Sequence, residues 1–314
     1  MLSRTADHLY WMARYTERAE NLARMLDVHN RMTLLTRESR LAGQDWEGIL
    51  IINQLEQNFQ QRYSQVTREH VIHFMAFDAE NPSSIHSCLR LARENAHAVR
   101  GTLTSELWET MNATWLKMRD MPLESMERDL GSFFEWVKFR SHLSRGVSVG
   151  TMLQDEAFHF VRLGTFLERS DNTARLLDVK YRLLLGEHTA EEGPSDYYQW
   201  GGLLRSLSAF EIYRKVYRDL ITPRRVAELL LLRVDMPRSL LYCAQEVLAN
   251  LEQIANRHSA ETLRRAGELF ACLRYSRIDT VFERGFHDFL DRFLVAINDI
   301  GSRISEDFLL PVAA

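Results

Sequence analysis

Residues 15–28 read Tyr15-Thr16-Glu17-Arg18-Ala19-Glu20-Asn21-Leu22-Ala23-Arg24-Met25-Leu26-Asp27-Val28, and residues 166–179 read Phe166-Leu167-Glu168-Arg169-Ser170-Asp171-Asn172-Thr173-Ala174-Arg175-Leu176-Leu177-Asp178-Val179. At a shift of 151 the two stretches share eight of fourteen positions, among them Glu17/Glu168, Arg18/Arg169, Asn21/Asn172 and Arg24/Arg175. Tyr15, Ala19, Leu22 and Leu26 fall at i, i+4, i+7 and i+11, which places them on one face of a helix. Glu17, Asn21, Arg24 and Val28 have the same spacing on the opposite face, and all four recur in the second stretch. A solvated face drifts, because surface substitutions usually move stability by about half a kcal/mol or less. A polar stripe kept in both stretches therefore points to burial or to a ligand. The competing account is a ladder of ion pairs, Glu20–Arg24 and Asp27–Arg31, each weakly stabilising. It suits Glu20 and Asp27 and leaves Glu17, Arg18 and Asn21 unexplained.

The internal match extends outward from these stretches. Trp46 matches Trp200 at a shift of 154. Thr67, Val71, Pro82, Ser84, Cys88, Asn95 and Glu106 match Thr222, Val226, Pro237, Ser239, Cys243, Asn250 and Glu261 at 155, and Glu127-Arg128 matches Glu283-Arg284 at 156. A shift that grows slowly is what small loop insertions produce. The pattern predicts an all-α fold: a tandem duplication of a roughly six-helix unit, residues 1–150 and 151–314, packed as a multi-helix bundle with pseudo-twofold symmetry.

Composition agrees. Hydrophobic residues make up 46% and charged residues 26% of 314, an ordinary globular balance, and Gly (14) and Pro (6) are scarce. A net charge of −4 argues against a nucleic-acid or anionic-membrane partner. The apolar runs are too short to span a membrane, and the first residues carry no secretory signal. Cys88, Cys243 and Cys272 have neither metal nor redox spacing, which reads as reduced, cytoplasmic thiols.

Taken in order, the pattern predicts a first helix from a Ser3 cap to about Arg40, ended by Gly43, and a second over Asp45 to Arg62. A short helix follows Thr67, and another opens at Pro82. Helices then open at Thr104-Ser105-Glu106 and Leu123, with Gly146 and Gly150 marking the joint. The second long helix runs from Met152 to Leu185, and the polar stretch Glu187 to Tyr198 reads as a loop.

Two accounts of the Glu-Arg stripe stay open. In one, Glu17, Arg18, Asn21, Arg24, Glu168, Arg169, Asn172 and Arg175 line a cleft between the halves, where arginine forks would take carboxylate or phosphate and glutamate an amine. In the other, the two helices cross at a pseudo-twofold axis and exchange Glu–Arg pairs. Arg238, beside a helix start at Pro237-Arg238-Ser239, adds a candidate anion contact. Cys88 and Cys243 fall on apolar faces and read as core. Glu94/His97 and Glu156/His159 have the Glu-x-x-His spacing of di-iron carboxylate bundles. They sit on non-equivalent helices, so no symmetric metal site is expected. No Gly-rich phosphate loop, nucleophile elbow or zinc helix is present, and no cofactor is expected.

Met1-Leu2-Ser3-Arg4-Thr5-Ala6, Leu9-Tyr10-Trp11-Met12-Ala13-Arg14-Tyr15, Glu17-Arg18-Ala19-Glu20-Asn21 and Leu167 to Asp178 resemble the bacterial alpha-E family, as do Arg93-Glu94-Asn95-Ala96, Glu106-Leu107-Trp108-Glu109 and Leu230-Leu231-Leu232 with Pro237-Arg238-Ser239. The resemblance covers essentially the whole chain. It implies a cytoplasmic bacterial protein whose relatives are encoded beside a circularly permuted ATP-grasp ligase and a transglutaminase-like peptidase. The function it implies is that of a non-catalytic partner of that ligase, binding a peptide or amino acid in the making or handling of an amide-linked peptide or tag. An enzyme using Glu17 or Glu168 as general acid/base, or a metal-binding bundle, are the alternatives.

Overall fold

Ser3 begins a helix that runs without a break to Leu35 (α1), roughly 50 Å at 1.5 Å per residue. The structure, a computed structural model, describes residues 1–35, 39–185 and 194–309. Among these the chain forms sixteen α-helices and no strand. After α1 come α2 (Ser39–Asn53), α3 (Glu56–Gln60), α4 (Arg68–Ile72), α5 (Ile85–Ala98), α6 (Ser105–Asp120), α7 (Leu123–Arg128) and α8 (Leu130–Thr151). Then follow α9 (Glu156–Leu185), α10 (Pro194–Ser206), α11 (Phe210–Tyr217), α12 (Pro223–Leu232), α13 (Leu240–Gln253), α14 (Ala260–Tyr275), α15 (Ile278–Glu283) and α16 (Phe286–Ile304). A turn of π-helix follows α4, at His73–Phe77, and another follows α16, at Ser305–Leu309.

The two long helices form the centre. α1 packs on α9, α5 and α8, while α9 packs on α13 and α16. α10 also reaches α1, and α2 reaches α9, so each long helix carries elements from both halves of the chain. Ala19, Leu22, Leu26 and Leu177 are buried, as the apolar stripe predicts, and so are Leu9 and Met25. Glu17, Glu20 and Asn21 on the other side are buried as well. A helix surrounded on all sides has no solvated face, so the polar stripe is an interior feature.

α1 and α9 run side by side in the same direction. Tyr10 and Ala13 meet Gly164, and one turn on, Arg14 and Arg18 meet Glu168. The approach is close enough that a Cβ on Gly164 would lie 2.3 Å from the Tyr10 carbonyl oxygen. Only a glycine fits there.

Short helices are started by hydroxyl caps at corresponding places. Thr67 accepts from the His70 amide and Thr222 from the Arg225 amide. Ser84 accepts from Ser87 and Ser239 from Tyr242. Ser84 also donates to the Asp78 carbonyl and Ser239 to the Arg233 carbonyl. His8 lies 2.8 Å from the Asn95 side-chain oxygen, and His159 lies 2.8 Å from that of Asn250.

Several boundaries differ from the sequence reading. Each half has eight helices rather than six, because α3 and α7 and their later counterparts α11 and α15 are separate short elements. Residues 36–38 lie outside the described residues, and Gly43 falls inside α2 and ends nothing. The expected helix Asp45 to Arg62 is broken at Gln54, whose φ of 56° is left-handed. Pro82 and Pro237 stand two residues before their helix caps. α8 continues through Gly146 and Gly150, since a helical glycine costs only about 1 kcal/mol against alanine. The joint is at 152–155, where Asp155 caps α9 through the Ala157 and Phe158 amides. Of the expected loop Glu187 to Tyr198, residues 187–193 lie outside the described residues and 194–198 are helical. Among the described residues, no helix is long and apolar enough to cross a membrane.

Candidate functional site

Two ionic clusters occupy the interface of α1 and α9, and each joins the halves. Arg169 of α9 grips Glu17 of α1 bidentately, Nε to Oε1 and Nη2 to Oε2, both at 2.9 Å. Arg18 of α1 grips Glu168 of α9 in the same way, Nε to Oε1 at 2.5 Å and Nη2 to Oε2 at 3.1 Å. The neighbouring residues Glu-Arg on each helix thus exchange partners reciprocally. A guanidinium fork on a carboxylate is the strongest and most directional pairing available between side chains.

The cluster at Glu17 draws in more residues. Arg145 of α8 donates to Glu17 at 2.5 Å and also to Glu20. Arg238, just before the α13 cap, donates Nη2 to Glu20 at 2.7 Å and Nη1 to the Asn21 side-chain oxygen at 2.8 Å. The same Nη1 lies 3.1 Å from Glu17. Arg24 donates to Glu20 at 2.6 Å, and the Ser141 hydroxyl does so at 2.8 Å. Four guanidinium groups therefore face two carboxylates, an excess of two positive charges. Two donors in this cluster, Asn21 Nδ2 and Arg24 Nε, are buried and have no acceptor. At Glu168 the second arginine is Arg14, which donates Nε at 2.8 Å and Nη1 to the Tyr10 hydroxyl at 3.2 Å.

Burial pushes all three carboxyls up, but the arginines outweigh it. Arg18 and Arg14 bring Glu168 down to about 2. Arg169, Arg145 and Arg238 hold Glu17 below the usual carboxylate range against the repulsion of Glu20. Arg238, Arg145 and Arg24 hold Glu20 well below it. His142, beside Arg145, is depressed by burial and by Arg145, Arg24 and Arg238, with Glu20 opposing. A general acid/base works best with a pKa near the working pH, and Glu168, at about 2, is far from that.

The structure brings Glu17, Asn21, Arg24, Arg169 and Arg238 into the first cluster and Arg18 and Glu168 into the second. Arg175 pairs with Asp171 at 2.8 Å, and Asn172 is half-buried outside both clusters. The two open accounts of the stripe thus meet in one place: Glu–Arg exchange across the helix pair, with a surplus of cationic donors on one side of it. Three participants escape a sequence reading. Glu20, assigned there to a surface ladder, is fully buried. Arg14 lies one turn before Arg18, so its place was recoverable from helix spacing alone. Arg145 has Gly301 at the corresponding position of the second half and leaves no repeat signal.

The remaining candidates resolve locally. Glu94 pairs with Arg90, and His97 packs against Trp108. Glu156 receives the Met1 amino group, and His159 pairs with Asn250. Among the described residues no three His, Cys, Asp or Glu side chains are grouped to hold a metal ion. Cys88 and Cys243 are buried, and burial pushes both thiols up to about 12, so neither forms a thiolate at neutral pH.

Neither a curated protein nor a solved structure matches the chain. One family model does match, over residues 1–309, described as a predicted alpha-helical domain with a conserved ER motif; the chain belongs to this family, Alpha-E.

Proposed function

We propose that this protein is a non-catalytic binding partner of a circularly permuted ATP-grasp amide ligase. It presents the ligase with an anionic group of a peptide or amino acid, in a sequence that a transglutaminase-like peptidase also serves. The observation that carries a binding role is the surplus at the Glu17–Glu20 cluster: two uncompensated arginine charges and two buried donors without acceptors. Such groups are costly unless an acceptor joins them, and a carboxylate or phosphate supplies both charge and lone pairs. Arg24 and Arg145 are the partly exposed members and form the mouth of the seat, while Arg169 and Arg238 form its floor. Acid/base catalysis by Glu17 or Glu168 is disfavoured by the arginines that hold both ionised. We also infer that the chain arose by tandem duplication, supported by the matched helix order, caps and His–Asn pairs of the two halves.

The experiment is co-purification with the neighbouring ligase, with and without ATP, using wild type and Arg24→Ala. Retention of the ligase by wild type, weakened in a folded Arg24→Ala protein, is expected. A wild type that neither retains the ligase nor alters its rate removes the proposal.

A further inference from the structure

The two sides of the α1–α9 pair are filled differently. On one, α8 lies over α1 and sends Arg145 and Ser141 to Glu20. On the other, α16 lies over α9. Advancing 156 residues, the offset that aligns Glu127-Arg128 with Glu283-Arg284, turns Arg145 into Gly301 and Ser141 into Ile297. Glu20 corresponds to Asp171 at the offset of the long helices. Gly301, Ile297 and Asp171 together line a cavity of about 260 Å³. The second half is therefore open where the first half is closed by a guanidinium.

Asp171 and Arg14 bring side chains of opposite charge to the lining. Asp171 accepts Arg175 on Oδ2 at 2.8 Å, but its Oδ1 is buried and accepts from nothing. A buried ionised oxygen without a donor is costly, and the natural complement is an ammonium or guanidinium. Arg14, also in the lining, commits Nε to Glu168 and Nη1 to Tyr10, which leaves Nη2 uncommitted. The charged side chains of the lining, Arg14 and Asp171, have opposite signs, so a ligand with a carboxylate as well as a cation is favoured over a bare amine. The volume falls below the roughly 300–1,000 Å³ of drug-sized pockets, which limits the occupant to about amino-acid size. Asn298, Ser302 and Ser305 leave one side of the lining polar.

We propose that this cavity binds a free α-amino acid, its ammonium on the Asp171 carboxylate and its carboxylate on Arg14. The site is distinct from the anion seat at Glu17–Glu20, and it rests on the binding reading above only for the class of molecule handled. The titration below needs no ligase, so its failure and a failure of ligase co-purification are separate results.

The test is calorimetric titration of the full-length protein with each standard L-amino acid in turn, up to about 10 mM, which reaches millimolar Kd values. Saturable binding by at least one is expected, lost when its amine is acetylated or its carboxyl amidated. Asp171→Asn should weaken it about tenfold or more. Gly301→Arg should abolish it by filling the cavity from within; an added Cβ there meets only the Tyr10 hydroxyl, at 3.9 Å, so the backbone accepts a side chain. Failure of every amino acid to bind, or unchanged binding in folded Gly301→Arg, overturns the proposal. Should Gly301→Arg not fold, wild-type affinity in folded Asp171→Asn overturns it equally.

Discussion

Replacing Glu168 by glutamine removes one negative charge from the α1–α9 interface while keeping the side chain's shape. Arg18 and Arg14 then face a neutral amide at 2.5 and 2.8 Å. The carboxyl titrates at about 2 in the fold against 4.5 when unperturbed. At about 1.4 kcal/mol per pKa unit, that difference corresponds to about 3 kcal/mol. The figure agrees with the roughly 3–5 kcal/mol lost when one partner of a buried pair is removed. The folded pKa is depressed, so this contribution is complete above 4.5 and disappears as the pH falls towards 2. Urea unfolding at neutral pH should show Glu168→Gln less stable than wild type by about 3 kcal/mol. The gap should narrow as the pH is lowered through 4.5, because wild type loses by protonation what the mutant has already lost. A neutral-pH loss under about half a kcal/mol, or a gap independent of acid, would refute the claim that Glu168 is a buried ionic anchor.

Gly164→Ala should cost about 1–3 kcal/mol or more in chemical unfolding, since its Cβ would lie 2.3 Å from the Tyr10 carbonyl oxygen. Gly146→Ala, with nothing within 4 Å of its Cβ, should instead stabilise by up to about 1 kcal/mol. Leu26→Ala should cost about 2–5 kcal/mol; a loss under about half a kcal/mol would move that face to the surface. A thiol reagent at neutral pH should modify exposed Cys272 in the native protein, and buried Cys88 and Cys243 only on unfolding.

The fold class was legible because helix periodicity is local: Leu22, Leu26 and Leu177 announce a buried stripe by spacing alone, and Thr67, Ser84 and Ser239 announce helix starts by their chemistry. The exchange of Glu17 with Arg169 and Glu168 with Arg18 was visible as one of two possibilities, because a polar stripe that recurs must be doing the same thing twice. Sequence could not choose between them. The choice depends on which helix covers the stripe, and that is set by long-range packing. Glu20 shows the cost most clearly. Its i, i+4 spacing to Arg24 looks like a surface ladder, and the pair does form, but Arg238 arrives from 218 residues away to bury it. The cavity beside Asp171 was illegible for the opposite reason. It is defined by Gly301, a side chain that is missing, and periodicity carries no signal for that.

The same exchange decides whether either half can stand alone. Glu17 belongs to the first half, yet Arg169 and Arg238 come from the second. Glu168 belongs to the second, and both of its arginines, Arg14 and Arg18, come from the first. Residues 1–153 alone would keep Arg145 against Glu17 and Glu20 but would expose Tyr10, Ala13 and the rest of the α1 face that α9 covers. Residues 154–314 alone would hold Glu168 with neither of its cations. Each fragment thus loses apolar burial and leaves charges placed for a partner that is gone, and domain stability of about 5–15 kcal/mol does not absorb both. Expressed separately, the fragments should unfold without a cooperative transition; expressed together, they should co-purify in equal amounts and recover one. A sharp unfolding transition from either fragment by itself would mean that the reciprocal pairs join two finished domains, and that the α1–α9 interface is a contact between folds rather than the core of one.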